Sequence, residues 1–121
     1  MDQQAIQELL EKREESYYNH FDVNVEEMKE AIVFMFACWS PTGIQFISLM
    51  KALENFPDLK LFVFDIDDAK IELYKKVNTL HSHGWGETFF VKSGRLIASL
   101  DKYGPDAVPA IIARINLLKT E

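Results

Sequence analysis

The residues able to do chemistry in this chain are few and scattered. One cysteine, Cys38, stands among the 121 residues, directly before Trp39 and Ser40. An internal disulfide needs two sulfurs, and there is neither a CxxC pair nor a Cys/His cluster with zinc spacing, so disulfide scaffolds and structural zinc are excluded. A nucleophilic thiolate needs a helix N-terminus or nearby cations. No Lys, Arg or His lies between Ile32 and Ile44. Cys38 is therefore expected as a small hydrophobe packed at the end of a strand, with reactive use confined to the case in which His81 and His83 fold over it. His81-Ser82-His83 offers only an i, i+2 pair with no further ligand close in sequence, and reads as a solvated loop. There is no P-loop and no GxGxxG, and Ser40 sits outside any GxSxG elbow, so nucleotide binding and serine hydrolysis have no support. Two indoles remain. Trp39 is expected as a half-buried platform beside a helix start. Trp85 lies between Gly84 and Gly86, and its indole is a candidate contact group, with core packing the alternative. No metal and no cofactor are expected.

Composition bounds the scaffold that must position these groups. With 48% hydrophobic residues and nine phenylalanines, the chain can bury one core as a single domain over 1–121, and disorder is excluded. The formal charge of −6 repels phosphate backbones, which excludes non-specific nucleic-acid binding and suits either solubility or a basic partner. The longest apolar run, Ala31 to Trp39, is broken by Ser40 and Pro41 and falls short of the roughly 18–20 residues of a membrane span. Met1-Asp2-Gln3-Gln4 has no basic n-region, so a cytoplasmic location is expected.

Periodicity supplies the elements. Asp2 is a candidate N-cap for a first helix running to about Tyr18, an N-terminal extension over 1–18 in which Ile6, Leu9, Leu10 and Tyr17 recur and the stem of Arg13 fills the stripe. Ala31–Ala37 (AIVFMFA) is a continuous apolar run, expected of a strand covered on both faces. Phe46, Ile47, Leu49, Met50 and Leu53 predict a second helix, stopping near Pro57. Leu59–Ile66 (LKLFVFDI) is a second buried strand. Asp67 or Asp68 caps a third helix striped by Ile71, Leu73, Tyr74, Val77 and Leu80. Glu87–Val91 and Leu96–Leu100 form a hairpin about Lys92-Ser93-Gly94-Arg95. Asp106 caps a final helix with Pro109 in its first turn and Val108, Ile111, Ile112, Ile115 and Leu118 on its buried face. The order is α, short β, β, α, β, α, β, β, α.

Four short stretches within this order carry a family likeness. Phe36-Ala37-Cys38-Trp39, Phe64-Asp65-Ile66-Asp67, Phe89-Phe90-Val91-Lys92-Ser93-Gly94-Arg95 and Tyr103-Gly104 resemble, in turn, the segment before the thioredoxin CxxC, its strand-end motif, its hairpin and the glycine before its last helix. The chain resembles a thioredoxin-like protein lacking the CxxC motif, over roughly residues 16 to 119. The resemblance implies an α/β fold with a central mixed sheet, helices on both faces and an extra N-terminal helix.

What departs from the pattern is the chemistry. Counting from Trp39, the two thiol positions hold Ser40 and Gly43. Phe34 stands where the family keeps a buried Asp, Val63 where it keeps that residue's Lys partner, and Gly86 in its cis-proline position. Absence of both sulfurs removes nucleophile and resolver together. The resemblance then implies a redox-inactive, non-catalytic protein-binding module, adaptor or chaperone-like, whose groove is formed by Trp39, Ser40, Pro41, Thr42, Trp85, Gly86 and Glu87 and pairs with protein or extended peptide. The alternatives are an acidic immunity or antitoxin protein that neutralises a basic partner through groups such as Glu8, Glu11, Glu14 and Glu15, and an atypical one-cysteine thiol oxidoreductase.

Overall fold

A computed structural model of the chain describes residues 1–39 and 42–120. Strands β2 (Glu30–Phe36) and β3 (Lys60–Asp65) are the centre of the architecture. Successive strand side chains point to opposite faces. Ile32, Phe34 and Phe36, with Leu61 and Val63, enter one core. Ala31, Val33 and Met35, with Phe62 and Phe64, enter a second. Every residue from Ala31 to Phe36 is fully buried, the two-sided burial that the apolar run predicts.

Five strands pair in the order β1-β3-β2-β4-β5, with β1 at Ser16–Tyr18, β4 at Thr88–Lys92 and β5 at Arg95–Leu100. β3 runs parallel to β1 and β2. β4 is antiparallel to β2, and β5 to β4. Ser93 and Gly94 both take positive φ at the hairpin, the two-residue turn whose twist matches its strands. Helices α1 (Gln3–Leu10), α2 (Thr42–Ala52) and α4 (Val108–Lys119) cover the first core, and α3 (Ile71–Asn78) the second. Helices thus lie on both faces of a mixed sheet, as expected. No helix among the described residues is long and apolar enough to cross a membrane.

Three expectations are corrected. Asp2 does cap α1, accepting from Ala5 N at 2.8 Å, but the helix ends at Leu10, and Ser16–Tyr18 becomes an edge strand paired with Leu61–Val63. Arg13 is the cause: its guanidinium does not lie along a helix but donates to the carbonyls of Leu53, Phe56 and Leu59, pulling the chain onto the loop before β3. Ser16 Oγ lies 2.7 Å from the carbonyls of Leu10 and Arg13 and so serves the helix end. In α3, Ile71 and Tyr74 are buried while Leu73 and Val77 are exposed. At about 100° per residue, positions 73 and 77 lie across the helix from Ile71, so the five-residue stripe is two faces rather than one. The same geometry leaves Ile47 of α2 exposed beside buried Phe46 and Leu49. Neither expected aspartate caps its helix: α3 begins after Lys70 and α4 after Ala107, both without a side-chain cap, although Pro109 does occupy the first turn of α4.

Candidate functional site

The chain leaves β2 at Phe36 and turns through Cys38 and Trp39 toward α2. The segment 81–87 arrives alongside, because Glu87 O accepts Met35 N at 2.9 Å and so extends the β2–β4 pairing. The two tryptophan loops therefore adjoin. Trp39 Nε1 donates to Asp67 Oδ1 at 3.1 Å. One edge of its indole lies over Gly84, where a Cβ would stand 2.3 Å from the ring. Gly84 thus provides a bare-backbone seat, at φ +78, that no side chain could share. The remaining surface faces solvent, so Trp39 is 62% exposed rather than half-buried.

Trp85 is 41% exposed. Lys102 Nζ sits 3.7 Å from its ring centroid, and the His83 ring is 4.5 Å away. Its indole is a surface group, but its carbonyl is not: Trp85 O accepts from Gln45 Nε2 at 3.0 Å and from Lys102 N at 2.8 Å. Those two bonds occupy the acceptor capacity of this carbonyl.

The other described groove residues, Thr42, Gly86 and Glu87, are buried and present no side chain to solvent. Thr42 is buried, its Oγ1 donating to Ala37 O at 2.8 Å and accepting Ala37 N at 3.2 Å. Gly86 is buried at φ +70, and a Cβ there would stand 1.8 Å from Gln45 Oε1. Glu87 is 1% exposed, with Oε2 accepting His83 N at 2.6 Å. Its Oε1, like Gln45 Oε1, is buried without a hydrogen-bond partner. Among the described residues of the expected groove, Trp39 and Trp85 are the exposed ones. Ser40 and Pro41 lie outside the described residues.

Cys38 is exposed, which corrects the packed reading. Its Sγ lies 3.8 Å from Asp67 Oδ2, a neighbour of the sign opposite to the cations that favour a nucleophilic thiolate. His81 packs edge-on against Phe89 at 5.2 Å and His83 against Trp85, so the histidines serve the Trp85 side. No group of three metal-ligating side chains occurs among the described residues. Gly43 is buried, and a Cβ there would come 2.8 Å from Met1 Cβ, so the Met1 side chain covers the position of a second thiol. Phe34 and Val63 are register partners across β2 and β3, both fully buried in one core.

Several positioning residues escaped the sequence reading. Asp65 is buried beneath the Trp39 loop. Its carboxylate accepts from Gln3 Nε2, from Tyr18 OH at 3.3 Å and from Asp67 N at 2.9 Å. Burial, with the Asp65 charge behind it, pushes the Tyr18 hydroxyl well above the usual tyrosine range. Asp65 thus orients Asp67, and Asp67 orients Trp39. The available signal was Phe64-Asp65-Ile66-Asp67, read as a strand-end motif with Asp67 as a candidate helix cap.

No protein-family model and no curated protein matches this sequence. Solved structures do match it. Desulfothioredoxin from Desulfovibrio vulgaris Hildenborough, in its reduced form, is 18% identical over 80% of this chain and 94% of its own, with TM-score 0.61. Oxidized thioredoxin O2 from Arabidopsis thaliana is 12% identical over 83% and 93%, with TM-score 0.67. The long form of thioredoxin f from spinach chloroplast is 14% identical over 94% of each chain, with TM-score 0.63. At these identities the likeness establishes a thioredoxin-like fold and carries no activity across. With one cysteine in the chain, the CxxC motif is absent.

Proposed function

We propose that this chain is a non-catalytic protein-binding module whose contact surface is the loop face carrying Trp39 and Trp85. The observation behind the reading is that two solvent-facing indoles are held on adjoining loops at the place where this fold otherwise carries a dithiol. Large aromatics fixed before binding lose little conformational freedom on association, and such residues dominate interface energetics. Trp39 is fixed at its nitrogen by Asp67 and beneath its ring by Gly84. Trp85 is fixed through its carbonyl by Gln45 and Lys102. Neither arrangement serves burial, since both rings remain in solvent.

Thiol chemistry finds no comparable support. The lone Cys38 has a carboxylate for a neighbour and no second sulfur to resolve a mixed disulfide. An insulin-reduction assay with dithiothreitol is expected to run at the buffer rate. Turnover well above buffer that disappears in Cys38→Ser would establish a one-cysteine oxidoreductase instead. Binding is tested by Trp85→Ala in a pull-down from the native host: loss of a captured protein, with the melting temperature preserved, is the expected result. Undiminished capture would place the interface elsewhere.

A further inference from the structure

We propose that the two-indole surface recognises a cation, taking an arginine side chain of a partner protein, and that Lys102 fills this site in the free molecule. The proposal rests on the protein-binding reading above and names the chemistry of the partner group. Lys102 Nζ stands 3.7 Å from the Trp85 ring centroid, well inside the roughly 6 Å over which an aromatic face attracts a cation. Among the described residues this ammonium makes no ion pair, so the ring face is its partner.

The backbone brings it there under strain. Lys102 takes φ +53, in the left-handed region that long side chains seldom adopt. Its N–H simultaneously donates to Trp85 O at 2.8 Å. Main chain and side chain of one residue are both committed to Trp85. Strain of this kind persists where the surrounding structure holds it in place, and it concentrates at ligand clamps and switches.

The neighbouring indole explains why the partner group is arginine. Trp39 offers a solvent-facing plate with the Asp67 carboxylate hydrogen-bonded at its edge. Gly84, seated against Trp39, directly precedes Trp85, so the two indoles stand on neighbouring backbone. A guanidinium stacks on an aromatic plate and forks to a carboxylate at the same time, which a lysine ammonium cannot do. The chain's charge of −6 favours approach of such a group. Binding is then an exchange in which the arriving guanidinium takes the indole surface and Lys102 is released to water.

Peptides of alternating glycine with arginine, serine or glutamate are titrated against the full chain by calorimetry, with the Trp39 and Trp85 Nε1–H resonances as the local readout. The arginine peptide is expected to shift both resonances saturably, while the serine and glutamate peptides shift neither. Lys102→Met, which removes the resident cation, is expected to tighten the arginine peptide about two- to five-fold. Lys12→Met, the same charge change elsewhere, is expected to leave affinity unaltered, and Trp85→Leu to weaken it. Equal binding of the serine peptide, undiminished binding by Trp85→Leu, or an affinity unmoved by Lys102→Met would each overturn the proposal. If a captured partner is lost on Trp85→Leu yet indifferent to Lys102→Met, the surface is an apolar docking face. In that case the cation assignment fails and the protein-binding reading stands.

Discussion

Replacing Gly86 by alanine should cost markedly more than replacing Gly84, although both glycines have positive φ in the same loop. An alanine in the left-handed region costs about 1–2 kcal/mol at either place. The difference comes from what the new methyl meets. At Gly84 it meets the far end of the Trp39 ring, and that side chain can swing further into solvent. At Gly86 it meets the Gln45 amide, which is only 6% exposed and cannot retreat without releasing Trp85 O. Losing that bond and leaving the buried Gln45 amide unpaired adds about 1–3 kcal/mol. The expected totals are about 2–5 kcal/mol for Gly86→Ala and about 1–2 for Gly84→Ala. The larger is a serious fraction of the roughly 5–15 kcal/mol that holds a domain folded. Urea unfolding gives both values, and adding Gln45→Ala isolates the contact: in that background Gly86→Ala should fall to the backbone cost alone. A Gly86→Ala penalty no greater than that of Gly84→Ala, or one that persists undiminished in the Gln45→Ala background, would refute this account of the loop.

Asp67→Ala should raise quenching of Trp39 fluorescence by acrylamide while lowering stability by less than about 1 kcal/mol, because the bond it removes is exposed; Asp67→Asn, which keeps an acceptor oxygen, should restore most of the protection. Arg13→Ala should destabilise by about 2–3 kcal/mol in urea, and Arg13→Lys should recover only part of it, since an ammonium lacks the fork that reaches three carbonyls. Tyr18, Tyr74 and Tyr103 have hydroxyls held above the ordinary tyrosine value of 10.0, chiefly by burial. A raised value in the folded state means that stability is intact below pH 10 and declines as pH climbs past it. Alkaline unfolding should therefore be steep, and Tyr103→Phe should reduce the slope while costing about 1 kcal/mol at neutral pH through its lost bond to Thr88.

How far the sequence could be read depended on whether a residue's role was local. The two central strands were legible because each apolar run is longer than any one-sided strand would need, and both faces proved covered. The hairpin was legible in Ser93-Gly94, and the start of α1 in Asp2. Tyr17 and Tyr18 misled because they continue a helical stripe that Arg13 interrupts through carbonyls some 40 to 46 residues away. Leu73 and Val77 misled because hydrophobicity alone does not say which of two helix faces has a sheet beneath it. At the site, the nearness of the tryptophan loops followed from the resemblance, but the fixing groups did not. Gln45, Asp67 and Lys102 act over 40, 28 and 17 residues of separation (85 − 45, 67 − 39 and 102 − 85), and a side chain's direction at that range is set by the finished fold. Glu87, expected to line the groove, is instead a buried clasp on His83.

The contact between Gly43 and Met1 bears on where sequences near this one can lead. A cysteine at position 40 alone would lack the second thiol three residues on, and one at 43 alone would drive its Cβ into Met1. Placing thiols at positions 40 and 43 therefore takes both sulfurs together with a displaced Met1. Substitutions at the two exposed indoles face no such barrier, since each can be altered singly while the cores stay intact. Single changes can thus reshape the indole face, whereas a dithiol at positions 40 and 43 is not reached one residue at a time.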